Sequence, residues 1–302
     1  MVIKTSGQIK SNLHYLVHPG LPIFLFDGQE PVIFDAGFSC MGKVYVSAVK
    51  YVLGDRQPSF LFLTHSHWDH CGSAAMLKDA FPEMKIAAAP AVGDIVKRPN
   101  ALALIRRLND EATADIAKDS RVETYLDKEP FRPFEVDIEI KEGQVYELGA
   151  GTTVQVMATP GHTQDHHSFY LPQEKILIAG EAAGLYYSPT MVSTEFVSDY
   201  DAYLASIQRL ALLPMEVFCP GHFVCLVGEE EISDFFKRSI EETIRFKNRV
   251  DELLDEEAGS IERVIQRIKE EEYYTSEIKQ PEATYTINLR NRVAHLASKR
   301  AK

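Results

Sequence analysis

A short apolar segment that leads directly into a cluster of histidines restricts the fold of this chain more than any other feature. Residues 60–63 read FLFL, and such an evenly apolar run is typical of a strand buried on both faces. The next residues, 64–70, read THSHWDH, and residues 72–81 then favour a helix of small side chains. This order indicates an α/β fold with polar groups at the carboxyl end of a buried strand, where such folds usually place their chemistry.

The polar cluster has the composition of a metal site. Three histidines and one aspartate lie within six residues: His65, His67, Asp69 and His70. Neutral imidazoles and carboxylates are good ligands for zinc, iron and manganese. Imidazoles two residues apart in a tight loop can converge on one ion, while Asp69 and His70 can turn towards a second. We therefore interpret this loop as part of a metal centre.

Three further ligand types follow predicted strands elsewhere in the chain. His162, Glu181 and His222 each come a few residues after a short β-rich segment that ends in small or turn residues. Taken singly, each would more often be a turn residue than a ligand. Because ends of neighbouring strands can meet at one edge of a sheet, we interpret both histidines, and also Glu181, as ligands.

The character of the chain changes after residue 228. Residues 1–228 contain two series of β-rich segments, with a helical insertion at about 94–135. Residues 229–302 hold 17 acidic and 14 basic residues. Apolar residues in this part recur at the i, i+3, i+4 spacing of amphipathic helices. We predict an α/β domain over 1–228 and a helical region over 229–302, which could cover the pocket or form a homodimer contact.

Charge and apolar content narrow the partners. The formal net charge is -12 and no run of Lys and Arg is present, which argues against nucleic acid as the main partner. No segment approaches the ~20 apolar residues of a membrane helix. The four cysteines form no CxxC pair, so we expect no structural zinc ribbon. We expect a cytoplasmic protein that acts on a small molecule and does not contact a membrane.

With these motifs the chain resembles the metallo-β-lactamase superfamily, whose signature is His-x-His-x-Asp-His followed by a distant His, an acidic residue and a final His. The resemblance covers roughly residues 10–228. It includes IFDAG around Asp35, which is similar to the family's first motif. It implies an αββα sandwich, in which two mixed sheets pack together with helices outside. It also implies two divalent metal ions as cofactors, with zinc favoured and iron or manganese as alternatives.

The resemblance also implies a role for each ligand. The two ions would be held by two sets of side chains: His65, His67 and His162 for the first, and Asp69, His70 and His222 for the second. Asp35 would orient a ligand from behind it. Asp69 would act as the catalytic residue that accepts and returns a proton.

Glu181 departs from the family pattern, which has an aspartate that bridges both metals at this place. The extra methylene moves the carboxylate by ~1.5 Å along the side chain. On one interpretation Glu181 simply replaces the aspartate. On the other, the second metal site is weaker or the metal preference changes.

Four more residues are candidates for the substrate pocket. Trp68 lies between His67 and Asp69, and His166 lies four positions after His162. Tyr186 and Tyr187 lie a few residues beyond Glu181, and related lactonases use a nearby tyrosine to polarise the carbonyl. Packing alone would also explain Trp68, and a strand start would explain His166.

Together these features predict a metal-dependent hydrolase in which a metal-bound hydroxide attacks an ester, thioester, lactone or lactam carbonyl. The sequence contains no GxSxG motif, which would indicate a serine nucleophile instead. A phosphodiesterase or nuclease is the first alternative. A di-iron oxidoreductase is the second, although its relatives carry glutamate where this chain has His67. A catalytically silent, metal-bearing ligand-binding protein is the third.

Overall fold

The structure is a computed structural model that describes residues 1–10, 12–16, 21–276 and 281–300. The chain divides into two compact units. The first contains residues 1–158, 165–180 and 214–232, and the second contains residues 159–164, 181–213 and 233–302. The predicted boundary at residue 228 stays a prediction.

One seven-stranded sheet of the first unit carries the ligand loop. Its strands, in spatial order, are β2 (Gly7–Lys10), β3 (Leu13–Leu16), β4 (Ile23–Phe26), β5 (Val32–Phe34), β6 (Phe60–Phe62), β7 (Lys85–Ala88) and β8 (Ile138–Glu139). Strands β2 to β5 form an antiparallel meander. Strands β5 to β8 are parallel, so the chain must cross over between them.

The second seven-stranded sheet of this unit is mostly antiparallel. Its strands, in spatial order, are β1 (Val2–Ile3), β16 (Cys225–Val227), β15 (Val217–Pro220), β12 (Ile176–Gly180), β11 (His167–Leu171), β10 (Thr153–Ala158) and β9 (Val145–Glu147). Only β12 and β15 pair in parallel among the described strands of this sheet. Both sheets are mixed, as predicted.

An aromatic cluster fills the space between the two sheets. The ring centroids of Phe34, Phe62 and Phe169 lie 5.0–5.8 Å apart. Phe62 belongs to this inner core, whereas Leu61 and Leu63 belong to the core on the other face of the sheet. The run predicted as a buried strand over 60–63 forms β6 over Phe60–Phe62. Leu61, Phe62 and Leu63 are buried as predicted, whereas Phe60 is only half-buried. Burial of each such side chain contributes roughly 1.5–3 kcal/mol.

The first unit also contains five described helices, and side chains of the first four belong to the core on the outer face of the first sheet. The helices are α1 (Gly42–Leu53), α2 (Ala74–Ala80), α3 (Pro90–Ile95), α4 (Pro99–Ile116) and α5 (Ser120–Glu123), with a 3₁₀ turn at Ser39–Met41. Buried side chains of α1 and α2, such as Val49 and Leu77, pack with Leu61 and Leu63. The α2 helix starts just after the ligand loop, so this packing fixes both ends of the loop.

The second unit is mainly helical. Its elements are the hairpin β13 (Leu185–Ser188) and β14 (Met191–Ser193), and the helices α6 (Tyr200–Leu210), α7 (Glu229–Glu256), α8 (Ile261–Ile268) and α9 (Glu282–Arg300), with a π-helical turn at Lys269–Tyr273. The first four residues of α7 are assigned to the first unit, and the rest of that helix to the second. The Asp199 side chain caps α6 by accepting the Ala202 N–H at 3.0 Å. None of the described helices offers an apolar stretch that could cross a bilayer.

Candidate metal centre

The loop after β6 gathers three imidazoles of the first unit. The ring of His65 lies 4.5 Å from the ring of His67 and 4.4 Å from that of His70, measured between centroids. The carbonyl of His67 accepts backbone N–H bonds from His70 and Cys71, which close the loop into a tight turn. His65 and His70 are buried. This turn is what allows residues so close in sequence to face one small volume.

His222 reaches the same cluster from the other sheet. It follows β15, and the neighbouring Gly221 N–H is bonded to the Gly180 carbonyl at 2.8 Å. The Nε2 atom of His222 lies 3.7 Å from Oδ2 of Asp69. The ligand atoms of Asp69, His70 and His222 all lie within 4.8 Å of one another, so these three side chains could hold a metal ion. Two imidazoles and a carboxylate match the preferences of first-row divalent ions.

Asp35 holds the imidazole of His70 from behind. Its Oδ2 atom lies 2.8 Å from Nδ1 of His70, and its Oδ1 atom accepts the Thr64 N–H at 2.8 Å. The Thr64 hydroxyl in turn lies 3.0 Å from Nδ1 of His65. Engaging Nδ1 fixes the ring and favours the tautomer in which Nε2 can bind a metal. The donor set and its supporting contacts therefore fit a divalent ion.

Asp165 supports the loop from a distant part of the sequence, and sequence reasoning missed it. Its Oδ2 atom accepts the backbone N–H of Ser66 at 2.9 Å, and both residues are buried. The only signal in the sequence is an acidic residue three positions after His162. Asp165 therefore stabilises the turn that carries His65 and His67 through this hydrogen bond.

His166 is fully buried beside the cluster. Its ring stacks on that of His65, with centroids 4.9 Å apart and planes inclined by 30°. Gly180 has a φ of 53°, and a Cβ there would lie 2.7 Å from Nε2 of His166. Glycine is therefore required where β12 ends and Glu181 follows. Contact between His166 and a substrate stays a prediction.

In the second unit, His162 and Glu181 form a buried pair. Nε2 of His162 lies 2.8 Å from Oε2 of Glu181, and its Nδ1 atom is bonded to the Glu195 carbonyl oxygen. Burial alone lowers the pKa of His162, but the Glu181 carboxylate and the Glu195 carbonyl outweigh it and raise the pKa overall. Sequence reasoning gave no signal for Glu195. His162 is thus held at Nδ1, and its Nε2 faces the Glu181 carboxylate. Two metal ligands that bind side by side have the same arrangement.

The turn before His162 packs closely against α6. Gly161 has a φ of 130°, and a Cβ there would lie 2.3 Å from the backbone of Tyr203. The Gly161 carbonyl accepts N–H groups from residues 197–199, just before α6 begins. The hydroxyl of Tyr203 accepts the Glu195 N–H at 3.0 Å. This network sets the position of His162 within the second unit.

The three remaining pocket candidates lie in different surroundings. Half-buried Trp68 packs against Phe38, with ring centroids 5.4 Å apart. Tyr186 is buried near Phe235, and Tyr187 lines a cavity within the second unit. Their roles towards substrate stay predictions, as do the metal-ligand roles.

Comparison with known proteins identifies the family. The sequence model described as "Metallo-beta-lactamase superfamily" matches residues 17–222. A "Beta-lactamase-like protein 2 homolog" from Caenorhabditis elegans is 26% identical over 210 residues, which are 69% of this chain and 54% of that protein. A "Hydroxyacylglutathione hydrolase" from Ruegeria pomeroyi is 26% identical over 163 residues, 54% of this chain and 47% of that protein.

A third relative is an "Atrochrysone carboxyl ACP thioesterase" from Aspergillus fumigatus, 25% identical over 164 residues. That match covers 54% of this chain and 38% of the thioesterase. The chain therefore spans about half or less of the length of these relatives.

Solved structures share the fold. A metallo-beta-lactamase family protein from Thermus thermophilus has a TM-score of 0.62 at 21% identity, covering 93% of this chain and 88% of that one. A superfamily protein from Sulfolobus tokodaii has a TM-score of 0.58 at 17% identity, covering 96% and 100%. The predicted αββα class is thus confirmed. Because the family model matches more than half of the chain, this protein belongs to the metallo-beta-lactamase superfamily.

Proposed function

We propose that this protein is a metal-dependent hydrolase that cleaves an ester, thioester, lactone or lactam at its carbonyl carbon. The observation that carries the proposal is the convergence of Asp69, His70 and His222 within 4.8 Å, with Asp35 bonded behind His70. A cluster of this kind is costly to bury unless its groups bind an ion or one another. It therefore supports a metal-binding role over a purely structural one.

We propose that the centre holds two divalent ions. By the family motif, His65, His67 and His162 would bind the first ion, and Asp69, His70 and His222 the second. Glu181 would supply a further acidic ligand. The fit of each part supports this: the loop imidazoles face one volume, and Glu181 already lies beside His162.

When bound, divalent ions would lower the pKa of water towards neutrality and polarise the carbonyl of the substrate. Asp69 would accept and return the proton, because its carboxylate is partly exposed and lies next to His222. Asp35 and Thr64 would keep the imidazoles oriented. Cys71 does not fit a nucleophile, because it is fully buried and burial raises its pKa well above the usual value.

Within the carbonyl class we place thioesters first. Two of the relatives are described as a hydroxyacylglutathione hydrolase and an acyl-carrier-protein thioesterase, and both names denote thioester substrates. The formal charge of -12 supports a small molecule over nucleic acid as the partner.

The test is turnover by the full chain after loading with zinc, manganese or iron(II). Acyl thioesters, an aryl ester, a lactone, a β-lactam and a phosphodiester form the substrate panel. We expect turnover of at least one carbonyl substrate, its loss on chelation and its return with metal. His70→Ala should lose activity, whereas His14→Gln, in β3, should keep it.

Other outcomes would overturn the proposal. Turnover of the phosphodiester alone would identify a phosphodiesterase. Oxygen or nitric oxide reduction by the iron form alone would identify an oxidoreductase. Bound metal without any turnover would identify a ligand-binding protein.

A further inference from the structure

A cavity within the second unit is lined by a buried arginine. The cavity has a volume of about 80 Å³, and its described lining residues come from β13, β14 and the segment after it, α7, the π-helical turn with the residues after it, and α9. Arg292, on α9, is only 5% exposed. Apart from Tyr187, a candidate for the substrate pocket, and Glu195, whose carbonyl holds His162, its described lining residues are separate from those assigned to the metal centre. The metal centre therefore does not account for this cavity.

Arg292 has few partners for a buried cation. Its Nη1 donates to the Thr194 carbonyl at 2.8 Å, and its guanidinium lies 5.1 Å from the ring centroid of Phe246. Among the described residues, none accepts a hydrogen bond from its buried Nε. In the part of the chain that the structure describes, no carboxylate forms an ion pair with it. A buried guanidinium cannot shed its proton, so a missing counter-ion is strongly unfavourable.

The acidic residues of the cavity wall have other partners. Both carboxylate oxygens of Glu242 accept from Arg245, at 2.6 and 2.7 Å. Glu272 also accepts from Arg245, at 2.9 Å, and Glu195 accepts from the Ser193 hydroxyl at 2.7 Å. Glu242 and Glu272 are therefore paired with Arg245, whereas the hydroxyl bonded to Glu195 is neutral. Among the described residues none of the three carboxylates forms an ion pair with Arg292, and their charges make the wall unfavourable for a doubly charged anion.

The shape and lining of the cavity restrict its ligand further. A volume of about 80 Å³ is less than the ~150 Å³ cavity that accommodates benzene. Phe246, Tyr273 and Tyr285 give it an aromatic wall. The space therefore suits one anionic group attached to a short apolar chain.

We propose that this cavity is a binding site for a short-chain organic monocarboxylate, whose carboxylate accepts hydrogen bonds from Arg292 and whose chain packs against the aromatic wall. A carboxylate matches the planar fork of the guanidinium. Phosphate should bind less well because it carries more charge next to Glu195, Glu242 and Glu272. The site goes beyond the proposed hydrolase function and does not depend on it.

The test is calorimetric titration of the full chain with butyrate, butyramide and inorganic phosphate at constant ionic strength. We expect saturable butyrate binding, and butyramide weaker by about tenfold or more because it lacks the charged hydrogen bonds. Arg292→Met should abolish the difference. Arg290→Met is the matched control, because Arg290 lies on the same helix, is exposed and pairs with Glu262.

Three additional measurements, on metal-free protein, on His70→Ala and on Arg292→Lys, distinguish binding in this cavity from other effects. Butyrate must bind equally to metal-free protein and to His70→Ala, which separates this cavity from the metal centre. If Arg292→Met does not fold, Arg292→Lys should fold and weaken butyrate by about tenfold through loss of the bidentate contact. Absence of saturable butyrate binding, tighter binding of phosphate, or unchanged binding in the Arg292 variants would overturn the proposal.

Discussion

Oδ2 of Asp35 lies 2.8 Å from Nδ1 of His70, while Oδ1 of the same carboxylate accepts the backbone N–H of Thr64. One side chain thus connects the start of the ligand loop to an imidazole near its end. The backbone of Asp35 has a φ of 59°, a conformation that aspartate tolerates better than most residues. Asp35 therefore orients His70, one of the candidate ligands, and the start of the loop that carries the others.

Replacing Asp35 by asparagine should weaken metal binding by about 10- to 100-fold, because the amide carries no charge and supports the imidazole less well. Competition with a chromophoric chelator measures the affinity. Asp27→Asn removes a carboxylate that pairs with Arg56 at the surface and should leave affinity unchanged. Equal affinity of the Asp35 variant and the parent would contradict this role.

Asp165→Ala should destabilise the metal-free protein by about 1–3 kcal/mol, because the Ser66 N–H would be buried without an acceptor. Asp165→Asn keeps an oxygen acceptor and should cost less. Urea denaturation measures the free energy of unfolding. The exposed Asp110→Asn serves as a control with little expected effect. If Asp165→Ala is as stable as the control, the bond to Ser66 does not brace the loop.

The local features of the site could be predicted from the sequence because they depend on neighbouring residues. The FLFL run indicated a buried strand, and the spacing of His65, His67 and His70 indicated a tight loop. The contact between Asp165 and Ser66 could not be predicted, since the residues are 99 positions apart and meet only after the sheets have paired.

Arg292 shows a different limit of sequence reasoning. Leu289, Val293 and Leu296 form an apolar stripe with helical spacing, and Arg292 lies on the same face at i+3 from Leu289. Sequence reasoning did not predict that Arg292 is buried, and the pattern cannot reveal whether a counter-ion lies nearby. That depends on side chains of α7 and β14. The second unit likewise combines three segments that are separate in the sequence, 159–164, 181–213 and 233–302. The periodicity of one segment does not show which other segments it packs with.

Glu181 allows a direct test of the acidic ligand. Glu181→Gln should reduce the affinity of at least one metal ion by about tenfold or more, because a neutral amide is a poorer ligand than a carboxylate. Glu181→Asp should retain two ions while shifting the balance among zinc, manganese and iron. Metal content and competition titrations measure both effects. Full metal content and affinity in Glu181→Gln would rule out Glu181 as a ligand.

Stability should depend on pH through Asp199, the residue that caps α6. Burial alone would raise its pKa, but the Ala202 N–H and the nearby Lys299 lower it overall. A lowered pKa in the folded state means that the carboxylate stabilises the fold above its unfolded pKa of about 3.9, and that this contribution is lost as the pH falls below that value. Asp199→Ala should therefore cost about 1 kcal/mol at neutral pH.

The difference in the free energy of unfolding between the parent and Asp199→Ala should disappear in acid. Denaturant titrations from neutral pH downwards would measure this difference. Asp201→Asn is the matched control, because Asp201 lies in the same helical turn but is exposed and pairs with Lys299. That surface pair should contribute less than about 1 kcal/mol. A cost of Asp199→Ala that stays constant down to acid pH would show that the cap does not act through its charge.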